Sequence, residues 1–358
     1  FVFQNIVQRP VLSFLRDFSA PVRVAPFQKR WDLAHMMRHD TNLYNRWDSA
    51  QRLASEIIID NAAKIACQIV PECDQLYLEA VSHSLSGVIA DPALLALTLQ
   101  LPGETTLAQE MAVIDPEALH QARQWQKHTL AAANRDRLVE LYHDYRSADG
   151  YSLAPGAIAE RSLKNTLLGL LMGLDPLPEE IAVLCIRQYQ QATNMTDKIT
   201  ALGALVQHDI AARDEALADF YRQWASDPLV LDKWFALQAT SSLPGTLERV
   251  KHLTGDPCFS MANPNRVRSL IGSFCSANHR RFHQSDGAGY RFLAEKVIEL
   301  NPANPQIAAR LVVPLTGWRR YDQQRQHLMR DALTQIAAVD NLSRDVAEII
   351  SKSLEQEG

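Results

Sequence analysis

The chain has 358 residues, of which 47% are hydrophobic and 22% are charged, with a formal net charge of −5. These values are ordinary for a globular protein, and they argue against disorder and weakly against nucleic acid as the main partner. No apolar run approaches the roughly 18 to 20 residues that cross a bilayer, and residues 1–30 lack a signal-peptide pattern, so we expect no membrane partner. The chain opens on Phe1 rather than methionine, which suggests a piece of a longer protein.

Five cysteines are present, an odd number at irregular spacing: Cys67, Cys73, Cys185, Cys258 and Cys275. This pattern fits neither a disulfide framework nor a Cys-x-x-C metal motif. We interpret all five as reduced thiols in a cytoplasmic protein.

The first 25 residues differ in pattern from the rest of the chain. Short β-favouring runs at residues 1–7, 11–15 and 22–24 are separated by Pro10 and by a Ser-Ala-Pro sequence. We predict short extended segments here that cannot form a stable sheet alone. We expect them to pack against the body of the protein or against a second copy.

From Gln28 onward the pattern predicts helix after helix. Asp or Asn directly precedes proline at Asp91-Pro92, Asp115-Pro116, Asp175-Pro176, Asp227-Pro228, Asn263-Pro264 and Asn304-Pro305, and each pair predicts a helix start. Apolar residues spaced by three and four predict helices over Tyr44–Ile59, Ile158–Leu171, Leu229–Ala239 and Ile307–Leu315.

Helix starts recur every 20 to 50 residues or so, which is typical of antiparallel helix pairs stacked on one another. We therefore predict an all-α domain over residues 26–358, an irregular α-superhelix of the armadillo or HEAT kind. Such stacks present an extended concave surface. The segment from Tyr145 to Gly156 is the best candidate for a long loop between two lobes, though not for a domain boundary.

Catalytic motifs are missing. None of the eleven histidines is followed by Glu, so there is no His-Glu-x-x-His zinc motif, and neither a nucleophile elbow nor a phosphate-binding loop is present. Two histidine pairs, His35 with His39 and His279 with His283, have helical spacing but no acidic third ligand, and we interpret them as surface or capping pairs. We predict no catalytic residue and no metal in this chain.

The most informative stretch is Phe259–Phe274. Asn263 and Pro264 predict a helix whose buried face carries Val267, Leu270, Ile271 and Phe274. Arg268 lies at the edge of that face, where it either reaches solvent, pairs with a carboxylate or faces a wet cavity.

Positive charge is concentrated in residues 263–330, where eleven Lys or Arg oppose four Asp or Glu, a balance of +7. We interpret the arginines of the run 319–330, namely Arg319, Arg320, Arg325 and Arg330, as mostly a solvated face. Gln306 and Arg310 are four residues apart on the helix predicted from Asn304, and they share one of its faces.

Several strings resemble a known family in order along the chain: FSAPV at 18–22, RWDSAQ at 46–51, ATNMTDKITAL at 192–202, DKWFALQA at 232–239, FSMANPNRVRSLIGSF at 259–274, DGAGYRFL at 286–293 and NPQIAARLVVPL at 304–315. The chain resembles the C-terminal part of the bacterial aminopeptidase N family, which are gluzincin zinc metallopeptidases. The resemblance runs from about Phe1 to Leu354, with no family string over residues 61–136.

The resemblance implies that residues 1–25 are the last strands of a β-sandwich domain and that residues 26–358 are the helical domain after it. It implies a cytoplasmic parent enzyme that removes N-terminal amino acids from short peptides, with zinc held by a catalytic domain outside this chain. This domain is then expected to cap the active site, to limit substrate size and to position the peptide through Arg268, Gln306 and Arg310. Its partners are the other domains of the same polypeptide and short peptides, and the chain alone is expected to be inactive.

A second reading from the residues is a stand-alone helical-repeat scaffold that binds a protein or RNA segment on a concave basic surface. Such a scaffold would have no need of the β-favouring residues 1–24.

Overall fold

The structure, a computed structural model, describes residues 4–22, 28–145 and 151–355. Within these ranges the chain is helical, and its β-structure is limited to one isolated parallel bridge between Ile114 and Tyr321. The prediction of an all-α fold is confirmed.

The helices are α1 Arg30–His39, α2 Leu43–Ala66, α3 Gln75–Leu85, α4 Pro92–Leu99, α5 Glu104–Glu110, α6 Pro116–Ala133, α7 Arg135–Asp144, α8 Pro155–Leu171, α9 Glu179–Gln191, α10 Met195–Leu205, α11 Ala211–Trp224, α12 Pro228–Ala239, α13 Thr246–Leu253, α14 Pro264–Val267, α15 Ser273–Ala277, α16 His279–Phe282, α17 Ala288–Leu300, α18 Pro305–Thr316, α19 Gln323–Ala337 and α20 Arg344–Glu355. Short 3₁₀ turns cover Arg16–Phe18 and Trp318–Arg320, and a π-helical turn covers Arg268–Gly272.

Five of the six Asp-Pro or Asn-Pro pairs begin a helix as predicted, at α4, α6, α12, α14 and α18. In each the capping carboxylate or amide oxygen accepts a first-turn backbone N–H. Asp175-Pro176 is the exception, because the pair has a cis peptide bond and α9 begins later, at Glu179. The backbone N–H of Asp175 donates to His128 Nδ1 at 3.0 Å, so this residue belongs to the turn between helices.

The N-terminal segment forms no paired strand within residues 4–22, and the prediction of an extended chain is wrong at Leu15 and over the 3₁₀ turn Arg16–Phe18. A strand needs a neighbouring strand to satisfy its backbone, and side chains of α1 and α2 hold this segment instead. The Arg9 guanidinium donates to both carboxylate oxygens of Asp32, at 2.9 and 2.8 Å, and Asn45 Nδ2 donates to the Phe14 carbonyl at 2.9 Å. The expected packing on the helical body is therefore present, whereas residues 1–3 and 23–24 of the predicted strands lie outside the described residues. The domain boundary after residue 25 stays a prediction.

The chain divides into two compact units. The first comprises Phe1–Gly103 and Gln121–Leu184, and its buried side chains include Leu53, Ile57, Leu163 and Leu167. Helices α7 and α8, on either side of the segment Tyr145–Gly156, pack against each other inside this unit. The segment therefore does not separate two lobes, although its residues 151–154 form a loop before α8 as predicted, and its residues 146–150 lie outside the described part.

The second unit comprises Glu104–His120 and Cys185–Gly358. Consecutive helices pack on one another, α10 to α13 in one run and α17 to α20 in the next, as predicted for stacked helix pairs. Phe274 lies between them and makes edge-to-face contacts with Phe282 and Phe292, whose ring centroids are 6.1 and 6.0 Å away. This unit contains all the predicted site residues.

Candidate functional site

The segment from Asn263 begins as predicted. The Asn263 side-chain oxygen accepts the backbone N–H groups of Asn265 and Arg266 at 3.0 and 3.4 Å, and Pro264 occupies the first helical position. The predicted apolar face, Val267, Leu270, Ile271 and Phe274, is fully buried. This packing fixes the direction of the two arginines in the first turn.

Arg266 points inward and serves the fold. It is 5% exposed, and its guanidinium pairs with the Asp232 carboxylate and donates to the carbonyls of Cys258 and Pro228, at 2.9 and 2.8 Å. It also lies over the Phe235 ring, 5.5 Å from the centroid. Because Arg266 is buried and already holds these acceptors, we assign it to the fold and not to ligand binding.

Arg268, two residues on, is exposed and donates only to the neighbouring Asn265 side chain, at 3.2 Å. It is the first residue of the π-helical turn, and its carbonyl accepts the N–H of Ser273, five residues later. Such turns are rare and often occur at functional sites. The sequence shows no sign of this turn, because the apolar spacing fits an uninterrupted α-helix equally well.

Helix α18 carries the other two predicted residues. Asn304 caps it by accepting the Ile307 N–H at 3.2 Å, and Ile307, Ala308, Leu311, Val312 and Leu315 are buried on its inner side. Gln306 and Arg310 are both exposed on the opposite side, so their shared face is as predicted. Helix α18 packs against α15, which follows the π-helical turn. The prediction that all three polar groups lie within about 10 Å of one another stays a prediction.

The eleven cations of residues 263–330 differ in what they contact. Ten engage the protein itself: Arg266 with Asp232, Arg268 with Asn265, Arg280 with Glu117, Arg281 with Ser242, Arg291 with Asp286, Lys296 with Glu299, Arg319 with Ser353, Arg320 with three carbonyls, Arg325 with His283 and Asp322, and Arg330 with the Trp318 ring. Arg310 has no hydrogen bond, ion pair or ring contact with any residue in the described part of the chain. Arg330 also makes no hydrogen bond or ion pair there, but its guanidinium lies over the Trp318 ring, so Arg310 is the cation of this segment with no contact of any of these kinds among the described residues.

The arginines of the run 319–330 are only in part the solvated face that the sequence predicts, because Arg319 and Arg330 are exposed whereas Arg320 and Arg325 are half-buried. Arg320 Nη2 lies 2.7, 3.1 and 3.0 Å from the carbonyls of Ala108, Gln109 and Met111, and so holds the end of α5. Arg325 Nε donates to the His283 carbonyl at 2.7 Å. Both side chains satisfy carbonyls at helix ends, and the partners of Arg320 lie more than 200 positions away in sequence.

The histidine pairs also differ from prediction in part. His35 is half-buried and His39 exposed, but His279 and His283 are buried, at 8% and 4% exposure. His283 lies between two tyrosines, with its Nδ1 3.0 Å from the Tyr290 hydroxyl and its Nε2 3.0 Å from the Tyr321 hydroxyl. Burial holds the pKa of His283 well below its usual range and lowers the pKa of His279. Among the described residues, no group of three or more His, Cys, Asp or Glu side chains could hold a metal ion.

Residues 30–355 match the family described as a domain of unknown function (DUF3458_C) with ARM repeats. The chain belongs to this family. An Aminopeptidase N of Caulobacter vibrioides is 40% identical over 352 residues, which are 98% of this chain and 40% of that protein. An Aminopeptidase N of Escherichia coli is 39% identical over 356 residues, again 40% of its own length.

A solved structure gives the same result for the fold of this ARM-repeat domain. The crystal structure of Legionella pneumophila aminopeptidase A in complex with aspartic acid superposes with a TM-score of 0.87 at 32% identity, over 99% of this chain and 42% of that one. The chain thus spans about two fifths of the relatives it matches, and it corresponds to the C-terminal region of aminopeptidase N, as the resemblance implied. None of its described helices is long and apolar enough to cross a bilayer.

Proposed function

We propose that this domain belongs to a cytoplasmic zinc-dependent aminopeptidase that removes N-terminal residues from short peptides. In that enzyme the domain caps the active site, limits substrate size and positions the peptide. The relatives named Aminopeptidase N support the peptidase assignment. The side chains described here do not suit a zinc ion, so in this proposal the metal and the reaction belong to the part of the enzyme that this chain does not match.

The observation that carries the positioning role is the availability of Arg310. A guanidinium binds a carboxylate through two parallel hydrogen bonds, and a free peptide ends in a carboxylate. Gln306, one turn away on the same face, can donate to a peptide carbonyl, and exposed Arg268 supplies a second positive charge. Most other arginines of the segment donate to carboxylates or carbonyls of the protein, and Arg330 lies over the Trp318 ring, so we take Arg268, Gln306 and Arg310 as the donors.

The same contacts weigh against the scaffold reading for RNA. A basic surface binds phosphates with several lysines or arginines free to neutralise them. Here most cations of residues 263–330 are paired with carboxylates or main-chain carbonyls of the protein. We therefore expect neither nucleic acid nor membrane among its partners, which in this proposal are the other domains of the polypeptide and short peptides.

The test is Arg310→Ala in the full-length enzyme that carries this chain. KM for short peptides should rise by about 10- to 150-fold, the 1.5 to 3 kcal/mol of a charge-assisted hydrogen bond. KM for substrates that lack a C-terminal carboxylate should change far less. Equal effects on both substrate classes would assign Arg310 to the fold instead.

A second measurement concerns this chain by itself. It should hydrolyse no alanyl chromogenic substrate and bind no stoichiometric zinc, because the ligand set is not among the described residues. Zinc-dependent turnover above background would overturn the assignment of the catalytic centre to another domain.

A further inference from the structure

Helix α18 has a proline in its interior, Pro314, with two helical residues after it. Proline has no backbone N–H, so the carbonyl four residues earlier, that of Arg310, loses the donor an α-helix would supply. No group outside α18 in the described part of the chain donates to this carbonyl. The main-chain carbonyl of Arg310 therefore lacks the usual α-helical donor, while the side chain of the same residue carries donors without a partner among the described residues.

The position of this carbonyl follows from helical spacing. Residues 306, 310, 313 and 314 lie on one side of α18, because they are separated by one and two turns. Gln306 and Arg310 are exposed, Val313 is 54% exposed and Pro314 is half-buried. The stripe formed by Gln306, Arg310, Val313 and Pro314 thus combines donors, an acceptor and an apolar side chain.

An extended peptide has the chemistry that complements this stripe. Its backbone alternates carbonyl acceptors with N–H donors, and its side chains include apolar groups. From residue 306 to residue 313 the helix rises about 10 Å at 1.5 Å per residue, and an extended tripeptide spans about 10 Å at 3.4 Å per residue. The lengths and the hydrogen-bonding groups therefore match.

We propose that the Arg310 carbonyl, left without a helical donor by Pro314, accepts a hydrogen bond from a backbone N–H of the bound peptide, while Val313 contacts an apolar side chain beside it. This inference rests on the proposed function, in which α18 positions the substrate. It adds an acceptor to a site otherwise made of donors. A site of that kind distinguishes a peptide from a molecule that carries only a carboxylate.

The test uses the full-length enzyme with a tripeptide and its depsipeptide analogue, in which an ester oxygen replaces the N–H of the second, non-scissile bond. The wild-type enzyme should show a KM about 3- to 10-fold higher for the ester, as expected when one hydrogen bond is lost. Pro314→Ala supplies the helical N–H and engages the carbonyl. In that variant the KM of the tripeptide should rise and the ester-to-amide ratio should fall to about one.

The matched control is Pro305→Ala at the first position of α18, where proline removes no helical hydrogen bond. This variant should keep the wild-type ester-to-amide ratio. Alanine is the better helix former, so Pro314→Ala is expected to fold, and its circular dichroism and thermal transition verify this.

Failure of this inference and failure of the proposed function give different results. Suppose that Arg310→Ala raises KM, but the wild-type enzyme has the same KM for amide and ester, or Pro314→Ala keeps the wild-type ester-to-amide ratio. The Arg310 carbonyl then takes no part in binding, and the positioning role of the Arg310 side chain stands. If Arg310→Ala leaves KM unchanged, the positioning role itself is wrong and this inference is wrong with it.

Discussion

Two regions of the basic segment use arginine in opposite ways. Around residues 319–325, Arg320 and Arg325 direct their donors to main-chain carbonyls of the protein. On α18, one helix earlier, Arg310 has no partner among the described residues. A local charge of +7 is therefore a poor guide to a binding site, because most of these cations are bound to carbonyls and carboxylates of the protein itself. What identifies a site is a guanidinium whose donors are left available.

The contrast is sharpest between Arg266 and Arg268, and we expect the largest effect on stability at Arg266. Arg266→Ala removes the cation that pairs with the Asp232 carboxylate, whose side chain is 18% exposed, and removes the side-chain donor to the carbonyls of Cys258 and Pro228. Breaking a buried pair in this way costs about 3 to 5 kcal/mol. The free energy of unfolding, from urea denaturation, should fall by that amount.

The matched control is Arg268→Ala, two residues along the same segment. Exposed Arg268 contacts only the Asn265 side chain, so its loss should change the free energy of unfolding by no more than about 0.5 kcal/mol. If both variants lost the same small amount of unfolding free energy, Arg266 would be no more important for the fold than Arg268.

A smaller effect is expected at Arg320, which holds the end of α5. Arg320→Ala should cost about 2 kcal/mol, because charged donors to carbonyls are worth more than neutral ones. Hydrogen exchange should accelerate in residues 104–114, whose Ile114 N–H also donates to the Arg320 carbonyl at 2.7 Å. In Arg310→Ala the exchange of these residues should be unchanged. Unchanged exchange in Arg320→Ala would show that segment 104–114 is held by other contacts.

These contrasts also show what the sequence can predict. Helix starts at Asn263 and Asn304 depend on a capping side chain and the next residue, so local chemistry is sufficient. Arg320 and Arg280 contact segment 104–120, which lies more than 160 residues earlier in the sequence. No local sequence pattern predicts contacts over such a separation. The same packing buries the pair His279 and His283, whose spacing alone predicts only that they share a face.

That buried pair leads to a prediction of pH dependence. Burial lowers the pKa of His283 and of His279, and at His283 the positive charge of Arg325, with that of His279 whenever His279 is protonated, lowers the pKa further. Both histidines therefore take up a proton at a lower pH in the folded protein than in the unfolded chain, where they gain one below pH about 6.5. The unfolded state then binds more protons, so stability is full above that pH and falls as the pH drops below it, by up to about 1.4 kcal/mol per unit for each histidine.

The measurement is urea denaturation between pH 7.5 and 5.5. His283→Gln, which has one titrating group fewer, should show a shallower fall than the wild type. His327→Gln changes an exposed histidine and should follow the wild-type curve. Identical curves for wild type and His283→Gln would mean that His283 is protonated inside the folded protein.

The smallest effect is expected where the N-terminal segment meets α1. Arg9 pairs with both oxygens of Asp32, but the Arg9 side chain is 64% exposed, so solvent screens the pair. Asp32 keeps a second partner, the Lys29 N–H at 2.9 Å, when Arg9 is removed. Arg9→Ala should therefore cost about 0.5 kcal/mol, and deletion of residues 1–24 should leave a single cooperative unfolding transition. If that deletion abolishes the transition, the segment belongs to the helical domain, and the boundary predicted after residue 25 is wrong.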